Sequence, residues 1–290
     1  MSEYRCNLVI PGFPKSGTSS FHEYLAQHPA ICMSQPKEPH HFARSDLWAR
    51  GPRAHDALFR HATGGELYFG ESSTTYCIWP EAAERIAAKL ETPKVIILMR
   101  HPVERTVSHY EWLHRLGLES RPFLEAMRAD GDSFHPDRPV HGCYRGYLEF
   151  SRYADHWPRW EELFPPQDLM LLSTSDLARD PETTLAGVHE FLGLPLHAPL
   201  KTEQANRTRD QAPVLVRRWA RMARAVVPES LITALRPMPG MRALWLRASR
   251  PDIREPAPIG EAEREWLERT LEAHVHFYEA RRSCSAIGTR

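Results

Sequence analysis

The feature that most constrains the fold is an uninterrupted apolar run rich in β-branched residues, Lys94–Met99. Strands with apolar side chains on both faces are typical of parallel sheets, because helices cover such sheets on both sides. Shorter apolar runs occur at 8–10 and 169–172. Segments with helical patterning separate these runs, and they cover residues 18–27, 80–90, 102–116, 147–163 and 181–192. The alternation predicts an α/β fold of three layers, in which helices flank a mostly parallel central sheet.

The chain has 290 residues, of which 42% are hydrophobic and 26% charged, which is typical of a globular protein of one large domain or two ordinary ones. It contains no internal repeat and no linker that would mark a boundary, so we expect a single domain over residues 1–290. Residues 201–255 are rich in arginine and proline and are interpreted as a flap. The pattern of residues 260–282 predicts a closing amphipathic helix with Trp266, Leu267, Leu271 and Val275 on one side.

Composition excludes several classes of function. Lys and Arg together number 37, as do Asp and Glu, so the formal net charge is zero. A chain without an overall electrostatic field is not attracted to nucleic acid or to a membrane surface, and any anion site has to be local.

The first residues lack the pattern of a signal peptide, and no apolar run reaches the roughly 18 to 20 residues of a membrane span. The five cysteines show no CxxC spacing, which argues against a disulfide framework. We therefore expect a cytoplasmic protein.

Residues 12–20, GFPKSGTSS, lie between a predicted strand and a predicted helix. In that position backbone N–H groups and the helix N-terminus can hold an anion. The spacing of Gly12 and Gly17 resembles a nucleotide-binding P-loop, but a kinase loop has its lysine after the second glycine, and here Lys15 precedes it. Kinases also end a neighbouring strand in an aspartate that holds Mg²⁺, whereas Arg100 follows the run at 94–99. These departures favour a phosphate-binding loop that works without Mg²⁺.

Two segments resemble the sulfotransferases that use 3′-phosphoadenosine-5′-phosphosulfate (PAPS) as the donor. The donor loop of that family is similar to residues 14–19, PKSGTS, and its second signature is similar to residues 100–110, RHPVERTVSHY. The similarity extends from residue 8 to about residue 194. The resemblance implies a P-loop-like fold that binds PAPS, releases 3′-phosphoadenosine-5′-phosphate (PAP) and requires no metal.

The resemblance also implies roles for individual residues. The transferred end of the donor is held by Lys15, Ser16, Gly17, Thr18, Ser19 and Ser20, the 3′-phosphate by Arg100 and Ser108, and another part of the donor by Asn206 and Arg207. Lys15 is the expected catalytic cation, because an ammonium beside the bridging oxygen stabilises the charge that develops there. Arg105 either shares the helical face of Ser108 or is a structural ion-pairing residue.

Residues 37–42, KEPHHF, are similar to the segment that carries the catalytic glutamate in the branch of the heparan sulfate sulfotransferases. This similarity makes Glu38 the expected general base for an acceptor hydroxyl, and His40 either tunes it or replaces it. A metal site formed by the nearby histidines is not expected, because no HxxxH or HExxH spacing occurs. One departure concerns Ser72, which stands beside Glu71 where that branch has a lysine.

The expected acceptor is a small molecule or a carbohydrate that carries a hydroxyl group, and a cytoplasmic location favours a metabolite or natural product. Four tryptophans, Trp48, Trp79, Trp112 and Trp157, either line its pocket or pack in the core. Two other functions remain open from the sequence. A P-loop kinase predicts Mg²⁺-dependent binding of ATP, and a non-catalytic protein of the same fold predicts PAP binding without turnover.

Overall fold

The computed structural model describes residues 3–115, 118–130, 145–197 and 258–284. Within these ranges five strands form one sheet, and every neighbouring pair is parallel. They are β1 (Leu8–Ile10), β2 (Ile31–Met33), β3 (Tyr68–Ser72), β4 (Lys94–Met99) and β5 (Leu169–Ser173), in the order β2-β3-β1-β4-β5. The predicted α/β class with a parallel sheet is confirmed. All five strands end at the same edge of the sheet, so the loops that follow them meet there.

Helices connect the strands and follow the last one. They are α1 (Thr18–Leu25), α2 (Ser45–Trp48), α3 (Gly51–Asp56), α4 (Pro80–Lys89), α5 (Pro102–Arg115), α6 (Phe123–Arg128), α7 (Tyr153–Leu163), α8 (Thr174–Arg179), α9 (Pro181–Phe191), α10 (Glu261–Thr270) and α11 (Glu272–Cys284). Short 3₁₀ helices occur at Ala57–Phe59, Glu149–Ser151 and Pro166–Asp168. No helix in the described part of the chain is both long enough and apolar enough to cross a membrane.

Alternate residues of the central strands pack on opposite faces of the sheet. Ile96 and Leu98 of β4 pack with side chains of α1, α8 and α9. Val95, Ile97 and Met99 pack on the other face with side chains of α4 and α7. Helices therefore cover both faces, and this three-layer arrangement explains why β4 has no polar face.

The apolar pattern does not predict β2 or β3. β2 is as short as β1 and contains one β-branched residue where β1 contains two. The second half of β3 consists of Gly70, Glu71 and Ser72, which do not form an apolar run. Glu71 is nevertheless fully buried, because the side chains of His55 and Tyr76 form hydrogen bonds with its carboxylate. Pairing with β1 and the burial of this polar network, not local preference, define β3.

The segment predicted as one closing helix over 260–282 is helical, but it forms two helices, α10 and α11, with a break at Leu271. Leu267 and Leu271 are buried in a cluster with α5 and α6. Tyr278 of α11 is buried in a different cluster, on the face of the sheet that α4 and α7 cover. Trp266 of α10 and Val275 of α11 pack against the same cluster as Leu267 and Leu271, so the four residues predicted to share one side do so. α11 therefore contributes to both clusters. The segment 201–255, interpreted as a flap, lies outside the described residues.

The helix predicted over 147–163 also begins later than expected. A 3₁₀ turn at Glu149–Ser151 precedes α7, and Arg152 separates the two with a non-helical backbone (φ −82°, ψ 56°). This interruption places Ser151 and Tyr153 against the loops at the carboxyl edge of the sheet, where both form hydrogen bonds described below.

Candidate active site

The donor loop, residues 11–17, connects β1 to α1 at the carboxyl edge of the sheet. The backbone N–H of Phe13 donates to the carbonyl of Leu98 in β4 (3.3 Å), and that of Ser16 donates to the carbonyl of Phe13 (3.1 Å). Gly17 caps α1 in the left-handed region, with φ 79°. The first N–H groups of a helix have no partner within it, and the first turn of α1 contains no acidic residue. The loop and helix together therefore favour an anion.

Lys15 projects from this loop with a left-handed backbone (φ 69°). Its ammonium lies 5.0 Å from the centre of the Trp112 ring on α5. The pKa of Lys15 is lowered to about 8, chiefly by burial and further by the charges of Arg100, Arg115 and Arg105. The structure thus gathers positive charge around the donor loop in a partly desolvated position, which an anionic ligand would neutralise.

Arg100 follows β4 directly, and its main-chain carbonyl accepts a hydrogen bond from the Tyr153 hydroxyl (2.8 Å). Its guanidinium is about one-third exposed and lies 3.8 Å from the Glu104 carboxylate. Ser108 is half-buried on α5, two turns after the start of that helix. The charge of Arg100 contributes, after burial, to the lowered pKa of Lys15. No contact between Arg100 and Ser108 is observed among the described residues.

Arg105 lies three residues before Ser108 on α5, as expected, but within the described part of the chain it is not an ion-pairing residue. It is fully buried, and its hydrogen-bond partners are not carboxylates: the Ser151 hydroxyl (2.6 Å), the Pro14 carbonyl (3.4 Å), the Tyr147 carbonyl, the Thr106 hydroxyl (3.3 Å) and His109 Nδ1 (3.3 Å). Burial lowers its pKa to about 10. Arg105 is therefore a buried cation that joins α5 to the donor loop through Pro14, and no described carboxylate forms an ion pair with it.

Glu38 lies on the loop after β2 and is attached to the neighbouring strand end. Its N–H donates to the carbonyl of Ser72 (3.0 Å), and its carboxylate accepts hydrogen bonds from the N–H (2.8 Å) and hydroxyl (3.0 Å) of Thr74. Lys37 donates to the other carboxylate oxygen at 2.5 Å. Burial raises the pKa of Glu38, but Lys37, His40 and the Thr74 N–H outweigh it and the pKa is lowered. Glu38 is therefore ionised at neutral pH and able to accept a proton.

The structure brings His40 next to Glu38. The His40 Nε2 lies 3.7 Å from Glu38 Oε2, and its Nδ1 forms a hydrogen bond with the Thr75 hydroxyl (3.0 Å). Burial lowers the pKa of His40. Ser72, which stands where a lysine is expected, forms a hydrogen bond with His22 Nδ1 of α1 (2.9 Å). The loop of Glu38 is thereby connected, through Ser72, to the helix that the donor loop begins.

Sequence reasoning did not identify the buried network around Glu71. Its carboxylate accepts from Ser73 (3.2 Å) and Tyr76 (3.1 and 3.0 Å) and lies 3.1 Å from His55 Nε2. The Ser73 oxygen in turn accepts the N–H of His40 (3.0 Å). Potential metal ligands of Cys6, His55 and Glu71 lie within 4.8 Å of one another. The Glu71 carboxylate, however, already forms hydrogen bonds with two hydroxyl groups and with the His55 imidazole. The position of Glu71 near the end of β3, at the carboxyl edge of the sheet, is the sequence feature that could have indicated this network.

The remaining predicted residues divide into two groups. Ser16 and Thr18 are buried, while Ser19 and Ser20 are half-buried on the first turn of α1. Asn206 and Arg207 lie outside the described residues, as do residues 142–144. All four tryptophans pack in or against the hydrophobic core: Trp79 and Trp157 are buried in it, and Trp48 and Trp112 are partly buried against it. Trp112 also lies beside Lys15.

A parallel α/β sheet with a glycine-containing loop between its first strand and first helix is the arrangement of P-loop-like folds. Comparison with known families specifies the class further, since the model of the sulfotransferase domain matches residues 6–213. The chain belongs to the sulfotransferase family.

Curated relatives lie in the branch of the heparan sulfate enzymes. The chain is 30% identical to human heparan sulfate glucosamine 3-O-sulfotransferase 6 over 186 residues, and the aligned region covers 64% of this chain and 52% of that protein. It is 27% identical to the human bifunctional heparan sulfate N-deacetylase/N-sulfotransferase 3 over 198 residues, and here the aligned region covers 65% of this chain and 22% of that protein. The chain thus spans about half the length, or less, of the curated relatives it matches. A crystal structure of a sulfotransferase from Alicyclobacillus acidocaldarius aligns with a TM-score of 0.60 and 26% identity, covering 76% of this chain and 92% of that one.

Proposed function

We propose that this protein transfers a sulfuryl group from PAPS to a hydroxyl of a carbohydrate-containing or natural-product acceptor, and that PAP is the second product. One observation carries the proposal: Lys15 and Arg100 concentrate positive charge at the start of α1, while the ionised Glu38 is attached to the end of the adjacent β3. A donor with two anionic ends and an acceptor that must lose a proton require these two kinds of group. Membership of the sulfotransferase family supports the same reaction.

On the donor side, the 5′ end of PAPS binds at residues 15–20 and its 3′-phosphate at Arg100 and Ser108. The first-turn N–H groups of α1 and the Lys15 ammonium interact with the phosphosulfate. As the bond between sulfur and the bridging oxygen breaks, negative charge grows on that oxygen, and Lys15 stabilises it. Positioned donors of this kind contribute roughly 3–4 kcal/mol each in comparable oxyanion sites.

On the acceptor side, Glu38 takes the proton of the acceptor hydroxyl as its oxygen attacks sulfur in line with the departing phosphate. A sulfate ester forms, the sulfur–oxygen bond to the donor breaks, and the proton resides on Glu38 until it passes to solvent. His40 Nε2, 3.7 Å from the Glu38 carboxylate, tunes this base. A general base contributes about 10²–10⁴-fold.

The relatives named for heparan sulfate favour a carbohydrate acceptor. Ser72 stands where the resemblance to that branch implies a lysine on the acceptor side. Trp112 is the tryptophan placed to contact a ligand at Lys15. Labelled PAPS tested against a panel of hydroxylated acceptors, sugars included, measures both turnover and acceptor class. PAP binding without turnover on any acceptor would favour the non-catalytic alternative.

The donor assignment has a direct test in Arg100→Ala. We expect PAP to lose about 1.5–3 kcal/mol of binding free energy, because a charge-assisted contact to the 3′-phosphate is removed. Adenosine 5′-phosphate, which lacks that phosphate, should lose almost nothing. Isothermal titration of both nucleotides with both proteins provides the measurement. Equal losses for the two nucleotides would mean that Arg100 stabilises the fold or binds the 5′ end of the donor. Tighter binding of ATP with Mg²⁺ than of PAP would favour the P-loop kinase as the function.

A further inference from the structure

Thr174 connects two parts of the donor site that are far apart in sequence. It is the first residue of α8, immediately after β5. Its hydroxyl oxygen lies 2.8 Å from the Ser16 carbonyl in the donor loop and 3.0 Å from the Met99 carbonyl at the end of β4. Met99 directly precedes Arg100. A single hydroxyl group therefore lies between the loop assigned to the 5′ end of the donor and the strand end assigned to its 3′-phosphate.

We propose that Thr174 is a positioning residue that fixes the spacing between the donor loop and Arg100. The inference rests on the proposed function, since it concerns the two ends of the same nucleotide. Thr174 touches no reacting atom in this account. Its effect on the donor passes through the Ser16 and Met99 main chain.

The geometry explains how this side chain orients the loop. In a planar trans peptide the C=O and N–H groups point in opposite directions. Because the Ser16 carbonyl points to Thr174, the Gly17 N–H is directed away from it. The Thr174 methyl group lies on the side of Gly17 from which a Cβ would project, since a Cβ added there would be 3.3 Å from Thr174 Cγ2. The hydroxyl of Thr174, and not the methyl, forms the contact with the Ser16 carbonyl.

The contacts of Thr174 are not explained by a local role in its own helix. Ser173 is the N-cap of α8, and no side chain caps that helix. The carbonyls that Thr174 contacts belong to segments 158 and 75 residues away. The hydroxyl therefore serves a tertiary connection, and its loss would let the donor loop and the end of β4 move relative to each other.

Two ligands, PAP and adenosine 5′-phosphate, distinguish a change in the distance between the donor loop and Arg100 from a change in the orientation of the loop. PAP has anionic groups at both ends and must engage the donor loop and Arg100 together, so its affinity depends on the distance between them. Adenosine 5′-phosphate engages the loop alone and can follow it if it shifts. A residue that fixes the spacing is thus needed for PAP and much less for adenosine 5′-phosphate.

The experiment compares Thr174→Val, which keeps the shape and removes the hydroxyl, with Thr174→Ser, which keeps the hydroxyl. Ser175→Ala is the matched control, because Ser175 contacts Ser173 and Tyr278 and not the donor loop. We expect Thr174→Val to weaken PAP binding about five- to tenfold, as the loss of one hydrogen bond allows, and adenosine 5′-phosphate by less than about twofold. Thr174→Ser and Ser175→Ala should bind both nucleotides within about twofold of wild type.

The decisive quantity is the ratio of the two losses, which does not depend on the folded fraction because both nucleotides are titrated into one preparation. Equal losses in Thr174→Val, or failure of Thr174→Ser to restore PAP binding, would overturn the positioning role while leaving the proposed function intact. If wild type binds PAP no better than adenosine 5′-phosphate, the two-ended donor is wrong and the inference is overturned with it.

Discussion

Lys15, Glu38 and His40 share an uncommon backbone conformation, with φ values of 69°, 59° and 53°. Among the described residues a positive φ occurs at one other non-glycine position, Thr92, in the turn before β4. Such conformations are costly for residues with a Cβ and persist where the surroundings impose them. Here the imposing contacts are visible, since Glu38 is bonded to Ser72 and Thr74. For Glu38, and for His40 through the hydrogen bond of its N–H to Ser73, these contacts fix the main chain of a residue proposed to act in catalysis.

The pKa of Lys15 leads to a prediction about pH. With a pKa of about 8, the ammonium is charged below pH 8 and progressively lost above it. We expect kcat/KM for PAPS to fall as pH rises through about 8, because the free enzyme loses the cation that stabilises the leaving phosphate. Lys15→Ala should lower turnover about a hundredfold or more and abolish that limb of the pH profile. Lys15→Arg should move the limb to higher pH without restoring the rate, since a planar guanidinium cannot occupy the same point.

The measurement for Lys15 is the initial rate at subsaturating PAPS over pH 6–10. Turnover of Lys15→Ala close to that of wild type would refute the assignment. PAP titrations in parallel separate a loss of binding from a loss of catalysis.

Glu38 and His40 can be distinguished at the acceptor side. Glu38→Gln keeps the size of the side chain and removes its basicity, so it should abolish most turnover and leave PAP affinity nearly unchanged. His40→Ala should reduce turnover less, because the imidazole only tunes the carboxylate. Steady-state rates and PAP titrations of both variants decide the matter. The reverse order of effects would make His40 the base.

At the scale of elements, the junction of β1, the donor loop and β4 is very closely packed. A Cβ on Gly12 would lie 2.5 Å from Thr18 Cγ2 and 3.2 Å from Leu98 Cβ. The N–H of Phe13 donates to the Leu98 carbonyl at the same place. Glycine is needed here for close approach, because any side chain would separate the donor loop from the end of β4.

Gly12→Ala tests this packing. We expect it to lower the free energy of unfolding by about 1–3 kcal/mol, as overpacking in a dense region does, and to weaken PAP binding because the loop is displaced. Gly65→Ala is the control, since a Cβ at Gly65 meets nothing within 4 Å. Urea unfolding and PAP titration of both variants provide the data. Unchanged stability and affinity in Gly12→Ala would show that the junction tolerates a methyl group.

At the scale of the whole molecule, three buried histidines are held neutral in separate parts of the fold. The pKa values of His22 in α1, His41 in the loop after β2 and His189 in α9 are all lowered to about 4, chiefly by burial. An unfolded histidine titrates near pH 6.5. The folded chain therefore excludes protons that the unfolded chain accepts, and acid weakens the fold as a whole.

This difference predicts how stability depends on pH. Above pH 6.5 neither state protonates these imidazoles and their contribution is fully present. Between pH 6.5 and 4 the unfolded state binds protons that the native state does not, so the free energy of unfolding falls with decreasing pH. At pH 5.5, above the range of most carboxylates, the slope should correspond to about two to three protons taken up on unfolding. His189→Gln should reduce that number by about one, as measured by urea unfolding at several pH values. A slope below one proton would contradict the prediction.

The sequence by itself determined the class of the sheet and indicated one loop that can bind an anion. A continuous apolar strand requires helices on both sides, and a glycine-containing loop between a strand and a helix presents N–H groups to an anion. Those are local properties, and the segments at 94–99 and 12–20 display them directly. The family resemblance rests on the segments at 14–19, 37–42 and 100–110.

Only the tertiary structure decided how the site is supported. β2 and β3 were not predicted, since β2 has one β-branched residue and half of β3 is glycine or polar. Pairing with neighbouring strands and burial define them. Arg105 reaches Pro14 across 91 residues, and Thr174 reaches Ser16 across 158. No pattern in a single chain indicates which distant carbonyl a buried hydroxyl or guanidinium will meet, since that depends on how the strand ends assemble at one edge of the sheet. The residue types of the site can thus be recognised in short segments of the sequence. Their relative positions depend on contacts between distant segments.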